Sequence, residues 1–235
     1  MFNPNPQIQL IEIAGQKPCV VVDDFLTDPD LMVEAAVRYK DGFAPAAANA
    51  YPGLEMPAPD ALTARLGEFF GQHVRHLLGG RRTVRMHSRL SIVTRQHHEL
   101  SPLQRICHRD RLDTTSEQCV AASVLYLFQD AALGGTSFYA PRQTIAETDR
   151  LIAGWNEMSQ EAMTEAIGAA PSYLTGSNGH FELLTTIAAK FNRIIFYDGG
   201  MFHSSHVTRP ELLSPEPDLG RLTLNGFFVC RKSAA

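Results

Sequence analysis

The stretch Arg221-Leu222-Thr223-Leu224-Asn225 alternates polar and apolar residues without a break. In an extended strand, successive side chains point to opposite faces, so this segment has one apolar face and one polar face. The apolar face belongs in a core. A polar face that carries an arginine belongs inside a fold only if the fold encloses a polar ligand. Such an arginine requires an anion, and its planar fork matches a carboxylate bidentately.

The rest of the chain supplies many short strands. Gln7 to Ile13 alternates, and Pro18 to Val22 is a β-branched run. Val84 to Thr94, Gln104 to Asp110, Cys119 to Phe128, Thr136 to Tyr139, His180 to Ala188, Arg193 to Tyr197, Met201 to Val207 and Arg221 to Cys230 read as further strands. Helices are expected before them. Asp28-Pro29-Asp30 starts one that runs to about Tyr39, with Asp28 as N-cap. A second begins near Pro59-Asp60, carries Leu62, Leu66, Phe69, Phe70 and Leu77 at helical spacing, and stops at Gly79-Gly80. Between the two, Gly42 to Pro59 reads as a loop. Gln143 to Ala170 reads as a helical insertion with Leu151, Ile152, Trp155 and Ile167 on one face.

This order predicts a mainly β fold, a double-sheet jelly roll of the cupin-like kind with N-terminal supporting helices and a helical insertion. All 235 residues are expected to form one domain, with residues 1–80 supporting a core over 81–235.

Composition narrows the function. A net charge of −4 gives no electrostatic case for a nucleic-acid partner, and Arg81-Arg82 reads as a solvated surface pair. No apolar run approaches the roughly 20 residues needed to cross a membrane, and Met1 to Gln9 is polar, with no secretory signal. Cysteines at 19, 107, 119 and 230 form no CxxC pair, which argues against structural zinc and fits reduced thiols in a cytoplasm. Cys107 alternates away from His108, so it reads as a small buried hydrophobe, and Ser204-Ser205 lacks the glycine-flanked elbow of a hydrolase.

Two residues apart on an extended segment, His108 and Asp110 present an imidazole and a carboxylate side by side. A distal histidine completes two histidines and one carboxylate, a set that binds Fe(II) on one face and leaves positions open. His203 and His206 are the rivals for that place. The placement of His203 three residues after the Asp198-Gly199-Gly200 turn favours it. His97 and His98 sit in a polar loop, and His73, His76, His87 and His180 have no visible partners.

Taken in order, these motifs resemble the 2-oxoglutarate/Fe(II)-dependent dioxygenases, nearest to their prolyl-hydroxylase-like branch. The resemblance rests on His108/Asp110, Tyr126-Leu127, Gly134-Gly135-Thr136-Ser137-Phe138, His203, and Arg221 with Thr223, together with Val21-Val22-Asp23-Asp24-Phe25-Leu26 near the start. It covers the chain from about Val20 onward. It implies a double-stranded β-helix in which His108, Asp110 and His203 bind Fe(II). It further implies that Arg221, Tyr126 and Thr223 hold the cosubstrate 2-oxoglutarate, that O2 is consumed, and that a C–H bond of an amino acid, a peptide or protein side chain, or a small metabolite is hydroxylated.

The chain departs from the family pattern in three places. Phe128 stands where many relatives have Asn, the tyrosine often found on the strand before the HxD is absent, and the stretch from His203 to Arg221 is long, with Pro210, Pro215 and Pro217 inside it. Two other readings are a cupin-like metalloenzyme without 2-oxoglutarate and a non-catalytic jelly-roll binding module.

Overall fold

The computed structural model describes residues 2–46, 51–110, 112 and 114–233. Its elements are β1 (Ile8–Ile11), β2 (Cys19–Val22), α1 (Asp30–Arg38), β3 (Ala44–Pro45), β4 (Gly53–Pro57), α2 (Asp60–Phe69), β5 (Gly80–Val93), β6 (Gln118–Tyr126), β7 (Thr136–Pro141), α3 (Ile145–Asn156), α4 (Gln160–Ile167), β8 (Phe181–Ile187), β9 (Ile194–Asp198), β10 (Phe202–Ser205) and β11 (Arg221–Lys232). One sheet has the order β1-β2-β9-β6-β11-β5-β4-β3 and the other β10-β7-β8. Their pairings are antiparallel. Side chains from both sheets share one apolar cluster: Ala122, Tyr126, Ile195 and Tyr197 from the large sheet meet Phe138 and Ile187 from the small one. This is the expected jelly roll, a mainly β fold with flanking helices.

The alternation of β11 decides how the large sheet is used, because β11 lies between β6 and β5 near its centre. Leu222, Leu224 and Phe228 face outward into a cluster with Leu66, Phe70, Ile92, Leu125 and Phe196. Phe70 stacks on Phe228 with centroids 3.9 Å apart. The helical spacing of Leu62, Leu66 and Phe69 puts one apolar stripe of α2 on this face. Each fully buried leucine or phenylalanine there contributes roughly 1.5–3 kcal/mol of transfer free energy. On the opposite face, Arg221, Thr223 and Asn225 point between the sheets, and all three are buried.

The helical insertion is present as α3 and α4. Thr144 caps α3 in a capping box with Glu147, and the Ser159 side chain caps α4. Trp155 and Met163 pack with Tyr139, Phe181 and Phe202, and Leu151, Ile152 and Ile167 join them, as the spacing predicts. Cys107 is fully buried in that same cluster, the apolar role expected of it. Among the described residues, no helix is long and apolar enough to cross a membrane.

Three expectations need correction. Residues 104–110 do not form a strand: Pro102–Arg105 is a 3₁₀ turn, started by Pro102 and closed by a Ser101/Gln104 capping box. Only His108 bridges to a strand residue, His203. The segment 42–59 is not all loop, because β3 and β4 extend the edge of the large sheet, Gly53–Pro57 pairing with Val93–Arg89; residues 47–50 of that stretch lie outside the described residues. Asp28 lies one residue before the Pro29 cap, and its carboxylate accepts the Leu31 N–H at 3.4 Å.

Candidate metal centre

His108 and His203 are locked together by two backbone hydrogen bonds, His108 N–H to His203 O at 2.9 Å and His203 N–H to His108 O at 2.8 Å. The Asp110 N–H donates to Gly199 O at 2.8 Å. These three bonds give the HxD segment the alternation of a strand at two points without a full ladder. Gly199 is required there: a Cβ on it would stand 3.1 Å from Asp110 Oδ2 and 2.8 Å from Val120 Cγ1. From the other side, buried Arg105 ties the preceding turn to the insertion, its Nη2 donating to Ala169 O at 2.8 Å and its Nη1 to Thr164 Oγ1 at 3.1 Å.

The side chains of His108, Asp110 and His203 then converge, their donor atoms all within 4.8 Å of one another. His203 is buried, with its ring against Tyr197. Its Nδ1–H donates to the Met201 carbonyl at 2.9 Å, which leaves the Nε2 lone pair toward Asp110 Oδ2, 3.7 Å away. His108 Nε2 lies 4.0 Å from Asp110 Oδ1. Such separations are too long for hydrogen bonds and suit donors arranged around one ion.

The electrostatics fit a cation. Asp110 Oδ2 is buried and has no hydrogen-bond partner, a costly state for a carboxylate that an ion would relieve. Burial pushes the Asp110 carboxyl up to about 6. Both imidazoles are pushed down to about 4, chiefly by desolvation, with His203 adding to the effect at His108. At neutral pH they are therefore neutral and able to ligate. His206, the rival, is turned elsewhere, with its Nδ1 2.8 Å from Ser137 Oγ.

The three residues line a cavity of about 360 Å³, and so do Arg221 and Thr223. Arg221 is 2% exposed. Its Nε donates to the carbonyls of Leu133 and Gly134, both at 3.1 Å, and its Nη2 to Gly135 O at 2.8 Å. Those carbonyls converge because Gly134 holds φ +83° where a Cβ would collide with His206 O at 1.7 Å. Among the described residues, no carboxylate pairs with Arg221 and its Nη1 has no partner. A buried guanidinium in that state is a ready anion site.

Tyr126, expected beside Arg221, does not line the cavity. It stands in the wall behind, its hydroxyl 2.8 Å from Thr136 Oγ1 and its ring 6.0 Å from the Arg221 guanidinium carbon. The cavity residue at that end is Tyr51, whose hydroxyl lies against Thr223 and near Arg221 and is pushed up to about 12 by burial. Tyr51 arrives from the segment just before β4. Asn225, on the polar face of β11, lines the cavity too, and Arg89, Tyr197 and His87 join it unforeseen. The segment 42–59 contributes Tyr51 and Pro52 to the cavity, and the turn before the HxD contributes Leu103 and Gln104. The insertion instead lines a neighbouring, mostly apolar cavity of about 290 Å³ through Asp149, Ile152, Ala153 and Asn156, joined to the first by His108 and Arg109.

The fold has solved counterparts. The non-heme α-ketoglutarate-dependent carbocyclase SnoK from nogalamycin biosynthesis is 12% identical, with 92% of this chain and 80% of that one covered and a TM-score of 0.50. HygX from Streptomyces hygroscopicus, solved with nickel and 2-oxoglutarate bound, is also 12% identical, with 92% and 83% covered and a TM-score of 0.50. At that identity the likeness establishes the fold. No curated protein matches the chain. Residues 4–228 match the model of a family of unknown function, DUF6445, and the chain belongs to that family.

Proposed function

We propose that this protein is an Fe(II)- and 2-oxoglutarate-dependent oxygenase of the prolyl-hydroxylase-like kind. Its target is an unactivated C–H bond of an amino acid, a peptide or protein side chain, or a small metabolite. The observation that carries this reading is the coincidence, in one cavity, of two unmet charges: the orphaned Asp110 oxygen between two neutral imidazoles, and the buried Arg221 fork with no counterion. SnoK and HygX, described with α-ketoglutarate or 2-oxoglutarate, support it by their shared fold.

In this reading His108, Asp110 and His203 hold the iron. Arg221 holds the far carboxylate of the cosubstrate through Nη1, with Thr223 and Tyr51 flanking it. Bound there, iron and 2-oxoglutarate supply, with O2, the oxidising chemistry that breaks the C–H bond. The chain's own part is to place the target carbon and exclude water, for which the buried wall at Tyr197, backed by Phe138, is suited. Retention of Asp110 favours hydroxylation over halogenation, because halide binding needs the carboxylate position vacated. Four free cysteines, with Cys19, Cys107 and Cys230 buried, accord with a cytoplasmic protein.

The test is anaerobic addition of Fe(II) and then 2-oxoglutarate to metal-free protein, followed by visible absorption. A metal-to-ligand charge-transfer band that is lost in His108→Ala and weakened in Arg221→Ala is the expected result. Stoichiometric iron binding without the band would point to a cupin-like enzyme without 2-oxoglutarate, and no iron binding would sink the proposal.

A further inference from the structure

Besides Arg221, two arginines line the metal cavity: Arg109, which pairs with Asp149, and Arg89, which the metal centre does not use. The register pairs Arg89 with Asn225, four residues along β11 from Arg221, roughly 13 Å at the rise of a strand. The Arg89 charge is felt by His108, Asp110 and Tyr197 on the metal side, and also by Tyr51, which feels Arg221 as well. Four strand residues from Arg221, Arg89 stands in the cavity wall within reach of the metal side and apart from the end assigned to the cosubstrate.

It is contacted from two sides, by an ion pair without hydrogen-bond geometry and by a ring face. Nε lies 2.8 Å from Glu55 Oε1, and the guanidinium carbon lies 4.7 Å above the Phe227 ring. Glu55 does not line the cavity, while Arg89 does. Among the described residues the two terminal amino groups of Arg89 have no hydrogen-bond partner. Beside it, Asn225 is 7% exposed; its Nδ2 donates to Ser91 Oγ at 3.0 Å, and its Oδ1 is buried without a partner. A donor fork therefore adjoins an orphaned acceptor in one wall.

We infer that Arg89 and Asn225 form the subsite of the primary substrate. The substrate presents a carboxylate to the Arg89 fork and an N–H next to that carboxylate to Asn225 Oδ1, as a free amino acid, an N-acylated amino acid or a peptide C-terminus does. Glu55 offsets part of the Arg89 charge, which favours a monoanion over a phosphate dianion, while planar bidentate geometry favours a carboxylate. This assignment narrows the substrate class of the oxygenase reading and rests on that reading for the identity of the reaction.

The experiment uses full-length protein loaded anaerobically with Fe(II) and 2-oxoglutarate. A set of free and N-acetylated L-amino acids is titrated, each against its carboxamide. Two readouts are followed: perturbation of the charge-transfer band, and the melting temperature of the same protein without cosubstrate. At least one carboxylate should perturb both, with its carboxamide about tenfold or more weaker, as loss of a charge-assisted bidentate pair requires. Arg89→Gln should abolish that preference, Arg89→Lys should restore only part of it, and Asn225→Ala should weaken carboxylate and carboxamide alike. The carboxylate-to-carboxamide ratio in wild type needs no variant to fold. Equal binding of the two, wild-type affinity in Arg89→Gln, or silence across the whole set would each overturn the inference. Failure of the oxygenase reading shows separately, as no band with 2-oxoglutarate alone, and the melting readout then still decides the Arg89 subsite.

Discussion

The two faces of the eight-stranded sheet are built from the same strands and obey opposite rules. On the outer face, Leu222, Leu224 and Phe228 meet Leu66 and Phe70 in an apolar contact that leaves nothing polar to satisfy. On the inner face, one residue out of step, Arg221, Thr223, Asn225 and Arg89 are polar, and two of their atoms, Arg89 Nε and Asn225 Oδ1, have no hydrogen-bond partner, like Asp110 Oδ2 opposite. Stability is concentrated where every group is satisfied, and binding capacity where groups are not. The strand period of two is what permits this separation, since a polar residue on one face costs the other face nothing.

The separation breaks most visibly if an outer-face change disturbs the metal. Phe70→Ala removes a fully buried ring stacked on Phe228 and near Phe196, and should cost about 3–5 kcal/mol of unfolding free energy. Iron affinity of the protein that remains folded should be unchanged. Denaturant unfolding together with iron titration below the transition checks both halves, and a parallel loss of iron binding would show the faces to be coupled.

Asp110→Ala is the converse. Iron affinity should fall about 100-fold or more, since an anionic ligand is lost. The metal-free protein should melt no lower than wild type, and higher if the orphaned carboxylate is as costly as its burial implies. Calorimetric titration and thermal melts of the metal-free form measure the two effects. A large drop in melting temperature would mean that Asp110 is structural.

Arg221→Leu should sharpen the comparison, because this residue serves both purposes. Its Nε and Nη2 hold the Leu133, Gly134 and Gly135 carbonyls, while Nη1 is left for a ligand. Loss of the cosubstrate contact should weaken 2-oxoglutarate binding by roughly 1.5–3 kcal/mol, read from the charge-transfer titration. The Leu133 and Gly134 carbonyls also lose the Arg221 donor, while Gly135 keeps the His206 N–H, so the melting temperature should fall as well, unlike that of Asp110→Ala.

Sequence reading reached these parts unequally, for physical reasons. Alternation over Arg221 to Asn225 exposed the polar inner face, and the HxD with a distal histidine after a Gly-Gly turn named the three residues that converge. A local period of two suffices for the first, and short-range spacing for most of the second. Arg89 was not legible as a site residue, because its place depends on the pairing of β5 with β11, 136 positions away in the Asn225 partner. Tyr51 was hidden in an Ala- and Pro-rich stretch whose approach to Thr223 depends on β4 pairing at the sheet edge. Tyr126 was expected in the cavity by motif order, but the Thr136 hydroxyl engages it in the wall. The HxD was read as a strand because its apolar pattern is strand-like; Pro102 and the Ser101/Gln104 capping box overrode that pattern locally.

The smallest effect tests whether a rim interaction belongs to either face. Asp23 follows β2, and its carboxylate accepts hydrogen bonds from Arg193 Nε at 2.6 Å, Arg193 Nη2 at 3.0 Å and Lys190 Nζ at 3.1 Å. The Arg193 hydrogen bond, with help from Lys190, holds the Asp23 carboxyl below its ordinary value. Folding therefore favours the ionised form. That stabilisation is complete above the unfolded-state value near 4 and is lost as pH falls through the lower folded-state value, where both states are protonated. Asp23→Asn should accordingly cost about 1–2 kcal/mol at pH 7, given that both partners are mostly buried and the geometry is bidentate. The gap between variant and wild type should hold steady from pH 7 to pH 5 and narrow only below about 4. Iron affinity at pH 7 should not move, because Asp23 does not line either cavity. If instead the gap narrowed already above pH 5, the pair would not be the source of the stabilisation; if iron affinity changed, the rim would be coupled to the inner face through β9, which carries Arg193 just before its first residue and Tyr197 near its last.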